Sequence, residues 1–298
     1  MNLTGADHHL LNDRLSEVRF MKVTVIIDNA VPIGRRHPFL AEHGLSLLIE
    51  HAGKKVLYDT GQSSAVVSNL SLLGFPPSEL DMLVVSHGHY DHTGGIFHVL
   101  QHAQKQIPVY ANKGIFQARY SITGQQRRFI GIPHEKELLT ALGAEWCFVD
   151  KPTEIIPKLW VSGLVPRITD YETGDPKLVT CATDGTECQD TIEDDTSLFY
   201  ASPRGLVVIG GCTHAGLVNT VRWGFEVTGT SRLAGWIGGT HLGPVSKEQQ
   251  GKTLAQLASF GPEFVAANHC TGFAMMAALY DCFGDRFIPA FVSTVIDV

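Results

Sequence analysis

Apolar residues along this chain fall in short runs separated by turn residues, with only a few helical stretches between them. The β-branched run in "MKVTVIIDNA", from Met21 to Asn29, predicts a strand. "LSLLIEH", the turn "AGKK" and the returning "VLYD" predict a hairpin. Residues 63–74, "SSAVVSNLSLLG", carry helical spacing and stop at Gly74. "FPPSELD" reads as a loop with a short helix, and "MLVVS" as a buried strand. Thr93 is placed to cap a helix over "GGIFHVLQHAQK", and "IPVYAN" is a further strand. Residues 113–145 read as mixed helix and loop, with "HEKELLTALGA" helical.

From residue 146 short strands dominate: "WCFVD", "TEIIPKLWVSG", "SLFYAS", "GLVVIGG", "WIGG" and "EFVAANH". "LVNTVRWGFEVTG" and "EQQGKTLAQLASFG" read as helices among them. Strands in both halves, each followed by helices, predict an α/β protein with two sheets face to face and helices outside. There is no tandem repeat and no proline- or serine-rich linker. Since Met21 opens a fresh strand, residues 1–20 are expected to be an N-terminal extension, a short helix or a loose arm, with Met21 as the true start the alternative, and 21–298 one domain.

Composition narrows the function classes. A chain of 298 residues, 44% hydrophobic, can bury a large core. A net charge of -7 with no run of five basic residues lacks the basic stripe of a general nucleic-acid binder, so no nucleic-acid partner is expected. No apolar stretch reaches ~18 residues, so no membrane span is expected. The N-terminus has no basic segment leading into an apolar core, as a secretory signal has. The six cysteines form no CxxC pair, which fits reduced thiols in a cytoplasmic protein. "GGIFHVL" and "GGTHLGP" are neither a dinucleotide fingerprint nor a phosphate loop, so no nucleotide cofactor is expected. A homo-oligomer is compatible with all of this.

The strongest chemical signal is "SHGHYDHTGG", residues 86–95. It places His87, His89, Asp91 and His92 directly after a buried strand. Side chains two apart in extended backbone point the same way, so His87 and His89 can grip one cation. The tight turn that follows can swing Asp91 and His92 toward a second, and Gly88 lets the backbone bend between them. Imidazole and carboxylate together suit zinc, with manganese or iron as alternatives.

"HGHYDH" is the HxHxDH signature of the metallo-β-lactamase superfamily, which the chain resembles. "LYDTG" is similar to the superfamily's first motif, with Asp59 buttressing the metal loop. "EHGLSLLIE", "GGCTHAGLVNTV", "IGGTHL" and "NHCTG" resemble one branch, the dihydropterin-ribofuranosylaminobenzene-phosphate synthase group. The resemblance spans about Met21 to about Gly272. It implies an αββα four-layer sandwich with two divalent metal ions at one edge. It implies His87, His89 and His214 on one ion, and Asp91, His92 and His269 on the other, with Asp91 also catalytic.

One departure stands out. Many relatives bridge the two ions with an Asp lying between the last two histidine motifs, and this chain has none between His214 and His269. Glu226, Glu248 and Glu263 lie there outside any glycine-rich strand end. His241 could act as a ligand or hydrogen-bond to one; alternatively "GCTH" fills the bridging-motif position, and Glu172, Asp194 or Asp195 could then contribute. Cys212 and Cys270 are expected to pack as small apolar residues, with thiolate coordination the alternative.

A metal-activated water acting at a carbonyl or phosphoryl centre, or a related group transfer, is the expected chemistry. The expected partner is a small anionic metabolite, phosphorylated or pterin-like. Arg119, Arg127, Arg128 and Arg167 are candidates to bind it, since a guanidinium fork matches phosphate oxygens. The alternatives are a lactonase or β-lactamase, a nuclease of the same superfamily, and a non-catalytic metabolite sensor.

Overall fold

The computed structural model describes residues 21–181 and 186–298, so the extension expected at 1–20 lies outside the described residues. Strand β1 (Lys22–Ile27) pairs with β2 (Ser46–His51), and β2 with β3 (Lys54–Tyr58), all antiparallel. Helix α1 (Ala65–Leu72) leads to β4 (Met82–Val84), which lies parallel to β3. The one-turn helix α2 (Tyr90–Thr93) and α3 (Ile96–Ala103) follow, then β5 (Ile107–Ala111). A hairpin of β6 (Arg119–Thr123) and β7 (Gln126–Phe129) leaves this sheet. Helix α4 (Lys136–Ala141) and β8 (Ala144–Phe148) return to it.

The second half opens with β9 (Thr153–Ile156) and β10 (Leu159–Val161). β11 (Leu178–Cys181) and β12 (Glu187–Gln189) join the earlier hairpin. β13 (Leu198–Ser202), β14 (Gly205–Gly210), α5 (Leu217–Thr228), β15 (Leu233–Gly239), α6 (Lys247–Phe260), β16 (Phe264–Asn268), α7 (Gly272–Phe283) and β17 (Phe287–Pro289) follow in turn. β18 (Val295–Asp297) crosses back to pair with β1. The two large sheets have the orders β18-β1-β2-β3-β4-β5-β8 and β17-β16-β15-β14-β13-β10-β9. A four-stranded sheet, β12-β11-β6-β7, stands apart.

Side-chain alternation makes these sheets the inner two of four layers. In β1, Val23 and Val25 point into the core between the sheets, with Leu47, Ile49, Val56 and Tyr58. Val207 and Ile209 meet them from β14. The opposite face of the first sheet packs Leu48, Leu57 and Leu83 on α1 and α3. The opposite face of the second packs Leu206, Val208 and Trp236 on α5, α6 and α7. Burial on both faces is why these strands read as continuous apolar runs. The expected αββα arrangement is the one found.

Local expectations differ in several places, among them "TEIIPKLWVSG", which is the β9–β10 hairpin rather than one strand, and β11 and β12, which were not expected. The hairpin turn is only Ala52-Gly53, both with positive φ, 51° and 75°. Lys54 and Lys55 therefore pair with His51 and Glu50 inside the strand; the two-residue turn matches the strand twist. Thr93 caps nothing: it sits within α2, its hydroxyl donates to the His89 carbonyl at 2.8 Å, and Gly95 caps α3. The segment expected as helix and loop contains the β6–β7 hairpin, turned at Gly124 with φ 60°. β7 is exposed throughout and carries no apolar alternation to betray it. Helix α7 and the strands after it were not anticipated. Among the described residues no helix is long and apolar enough to cross a membrane.

Candidate metal centre

Strand direction brings the candidate ligands together. β14, β15 and β16 run parallel, so their C-terminal ends share one edge of the second sheet. Cys212 and His214 lie just past β14, His241 past β15 and His269 past β16. β3 and β4 are also parallel, and they release Asp59 and the loop of His87 and His89 at the facing edge of the first sheet. Loops beyond the carboxyl ends of parallel strands are where such folds build sites.

Two sets of ligand atoms result. Atoms of His87, His89 and His214 lie within 4.8 Å of one another, with His87 Nε2 2.9 Å from His89 Nδ1. In the second set His92 Nε2 is 3.1 Å from His269 Nε2. Asp91 Oδ2 is 3.4 Å from His269 Nε2 and 3.8 Å from His92 Nε2. All six residues are at least nine-tenths buried.

These residues fit divalent cations. His89 Nε2 and both ring nitrogens of His214 and His241 have no hydrogen-bond partner. Buried polar atoms left so are costly, and a cation that takes the lone pair relieves the cost. Burial lowers the pKa of His87 and His214, and brings His89 to about 3 and His269 to about 4. These rings are neutral, as ligands must be. His92 differs: burial works against its cation, but Asp59 and Asp91 raise it to about 9 without metal. Burial raises the Asp91 pKa, but His92, His43 and His269 outweigh it and keep the carboxylate ionised.

The supporting shell is fully bonded. Asp59 accepts from Ser86 N through Oδ1 and from Ser86 Oγ through Oδ2, both at 2.7 Å. Asp59 Oδ2 is also 2.7 Å from His92 Nδ1, and Ser86 Oγ is 2.8 Å from His87 Nδ1. One carboxylate thus orients a histidine of each set, leaving the opposite ring nitrogens for metal. Asp28 Oδ1 accepts from His269 N at 2.9 Å, and Asn29 Oδ1 lies 3.1 Å from His269 Nδ1. Gly88 is required by crowding rather than by a bend: a Cβ there would lie 2.1 Å from the Ile115 carbonyl oxygen.

The four candidate arginines separate. Arg119 is 1% exposed. Its Nη1 and Nη2 donate to Asp194 at 2.7 and 2.6 Å, and its Nε lies 2.9 Å from Asp190 Oδ2. It is engaged by carboxylates inside the protein and does not face the cleft. Arg127 stacks on Tyr120 and pairs with Glu187 outside the cleft. Arg167 donates to the His214 carbonyl at 2.9 Å and to the Thr191 carbonyl. Arg128 alone lines the cleft, its Nη1 3.3 Å from the Tyr90 hydroxyl.

None of the carboxylates considered as bridges joins a ligand cluster, although Asp195 Oδ1 has no hydrogen-bond partner. Glu172 accepts from Val218 N and Asn219 N in the first turn of α5. Asp194 holds Arg119 and accepts from Gly88 N, and Asp195 accepts from Ala215 N. Glu226 lines a separate pocket, while Glu248 and Glu263 pair with Lys252 and with Arg204 and Arg232. The His241 ring lies 4.1 Å from that of His214. Cys212, expected to be packing, has its Sγ 3.2 Å from His92 Nε2.

Sequence reasoning missed part of the cleft, which has a volume of about 360 Å³. His43 enters it, with Nε2 3.2 Å from Asp91 Oδ2. The small sheet forms the opposite wall with Ser121, Arg128, Ile130 and Leu178, and Asp175 joins them. His43 follows a glutamate in the "EHGLSLLIE" motif, which was the available signal.

A family model described as the metallo-beta-lactamase superfamily matches residues 41–170. The chain is 30% identical over 258 residues to 7,8-dihydropterin-6-methyl-4-(beta-D-ribofuranosyl)-aminobenzene-5'-phosphate synthase of Methanocaldococcus jannaschii, covering 80% of this chain and 84% of that protein. It is 30% identical to an uncharacterised protein of the same organism, over 93% of this chain and 100% of the other. The crystal structure of Tm1679, described as a metal-dependent hydrolase of the beta-lactamase superfamily, superposes with a TM-score of 0.79 at 26% identity, covering 93% and 99% of the two chains.

Proposed function

Because the chain belongs to the metallo-beta-lactamase superfamily of metal-dependent enzymes, we propose that it is a dinuclear metallohydrolase or group-transfer enzyme acting on a small anionic metabolite. The observation that carries this reading is the convergence of two ligand sets at one cleft, which His89, His214, Asp91 and His269 line together with Arg128. His87, His89 and His214 would hold one ion, and Asp91, His92 and His269 the other. Zinc is the first expectation for so many imidazoles, with manganese and iron next. Bound ions supply Lewis-acid polarisation of a substrate oxygen and lower the pKa of water toward ~7.

The chain's own groups do the rest. Asp91 engages His43, His92 and His269 through Oδ2. Its other oxygen orients and accepts a proton from the attacking water or alcohol. Arg128, braced against Tyr90, forks an anionic substrate group. Asp175 faces groups that donate hydrogen bonds, and Ile130, Leu178 and Pro244 give an apolar ring somewhere to lie. A phosphorylated, pterin-like substrate suits this combination, and the name of the M. jannaschii relative supports it.

The test is a substrate panel on metal-depleted protein reconstituted with zinc, manganese or iron. It contains phosphoesters, phosphoanhydrides, pterin conjugates and lactones. Metal-dependent turnover of an anionic member is expected, with Asp91→Asn lowering kcat by roughly 10²–10⁴. Tight binding of such an anion to fully metallated protein without turnover would sink the enzyme and favour a sensor.

A further inference from the structure

We propose that Cys212 is the ligand shared by the two cation positions. The inference deepens the dinuclear reading above and rests on it. Cys212 Sγ forms one ligand cluster with atoms of His87 and His92, a second with His214 and His241, and a third with His269 and Cys270. Within each cluster all ligand atoms lie within 4.8 Å. His87 and His214 belong to the first ion's set, His92 and His269 to the second. Cys212 therefore reaches both from one atom.

Chemistry and backbone agree with this placement. A bridging ligand needs lone pairs for two metals. A neutral imidazole offers one, while a thiolate sulfur offers several and is a strong ligand for zinc. Glu172 is committed to α5 and Asp194 to Arg119; Asp195 spends Oδ2 on Ala215 N and keeps a free Oδ1, but it joins none of the ligand clusters. The sulfur is also held in place. Cys212 is 3% exposed. The preceding Gly211 packs so closely that a Cβ would lie 2.3 Å from Ser86 Oγ and 3.1 Å from Asp59 Oδ2. The next residue, Thr213, has φ 64°, and its hydroxyl donates to the Gly239 carbonyl at 2.9 Å. The cysteine is thus clamped between the Ser86–Asp59 pair that orients His87 and His92 on one side and the end of β15 on the other. On metal uptake the thiol proton passes to solvent. Cys270 sits at the edge of the same cluster, and its Sγ accepts the His241 N–H at 3.2 Å.

Cobalt(II) tests the assignment without reference to activity. Metal-free wild-type, Cys212→Ser, Cys212→Asp and Cys270→Ser proteins are titrated with the ion, reading bound cobalt and the near-ultraviolet sulfur-to-cobalt charge-transfer absorption. The wild type is expected to bind two equivalents, with absorption growing through both. Cys270→Ser keeps that absorption. Cys212→Ser loses it and about half of the bound cobalt. Cys212→Asp lacks it but regains the second equivalent, which also shows that the fold survives. Absorption that persists in Cys212→Ser, or that saturates after one equivalent in the wild type, overturns the bridge. Two bound equivalents with no such absorption overturn it while leaving the dinuclear centre intact. A wild type that binds no cobalt overturns the centre itself.

Discussion

Arg119→Met separates a buried ion pair from a substrate clamp. The guanidinium is 1% exposed and donates to both oxygens of Asp194 at 2.7 and 2.6 Å. Its Nε is 2.9 Å from Asp190 Oδ2. Methionine fills much of the space but leaves the buried Asp190 and Asp194 without their cation. Breaking a buried pair by removing one partner costs about 3–5 kcal/mol. For a domain of this size that lowers Tm by roughly 10 °C. Asp194 Oδ2 also accepts from Gly88 N at 2.8 Å, so the loss reaches the metal loop. The assay is urea unfolding of metal-free protein, which removes the stabilisation that bound metal adds. Arg119→Met and Asp194→Asn are measured singly and together. Asparagine keeps an acceptor for Gly88 N and removes one stranded charge. The double variant is therefore expected to fall short of the sum by about 1–3 kcal/mol. If Arg119→Met loses under about 1 kcal/mol while raising KM, the residue faces substrate and the ion-pair argument is wrong.

Arg128→Ala is expected to raise KM for the anionic substrate by about 10- to 100-fold, as loss of a charge-assisted pair of about 1.5–3 kcal/mol implies; Arg127→Ala should leave KM unchanged, and steady-state kinetics on the pair decides. Asp59→Asn turns an amide toward His92 Nδ1, forces the proton onto Nε2 and should weaken metal binding by about 10- to 100-fold; competition with a chelator reads this, and unchanged affinity refutes it. The pH dependence of metal-free protein is isolated by comparison with His89→Gln. Burial holds His89 at about 3 in the fold, against about 6.5 in the unfolded chain. The unfolded state therefore binds the extra proton between those values, and folding stability is lost as pH falls from 6.5. Relative to the variant, the wild type should lose about 2 kcal/mol between pH 7 and pH 5. Parallel pH profiles from chemical unfolding would contradict the burial argument.

The sequence makes the layered scaffold legible for a simple reason. Strands buried on both faces must be apolar throughout, and Val207–Ile209 or Leu47–Ile49 announce themselves. The HGHYDH loop is legible because its ligands are local. His214 and His269 were reachable because each follows such a strand. The rest depends on contacts between distant residues. β7 is wholly exposed, so no alternation marks it, and its sheet and the cleft wall were missed. Arg119 looked like its neighbours Arg127 and Arg128 because its partners, Asp190 and Asp194, lie about seventy residues on. Cys212 looked like core because a buried thiol and a ligand thiol have the same sequence surroundings. The distance to His92 is what motivates the ligand reading proposed above.

What sets the site apart physically is that two departures from ordinary structure coincide there. Among the described residues nine non-glycine positions have positive φ, and Asp59, Thr213, His241 and His269 are four of them. Each such conformation costs on the order of 1 kcal/mol or more and persists only where the surroundings over-determine it. Here they do. Asp59 N donates to the Val84 carbonyl, His269 N to Asp28, and the His241 N–H to Cys270 Sγ. The unpartnered ring nitrogens of His89, His214 and His241 add a second cost at the same place. Strain and unsatisfied lone pairs that coincide where strands of both sheets end are not faults of packing, because the adjoining core is continuous and apolar. Their coincidence is the physical signature of a site whose bonding is completed by a bound cation.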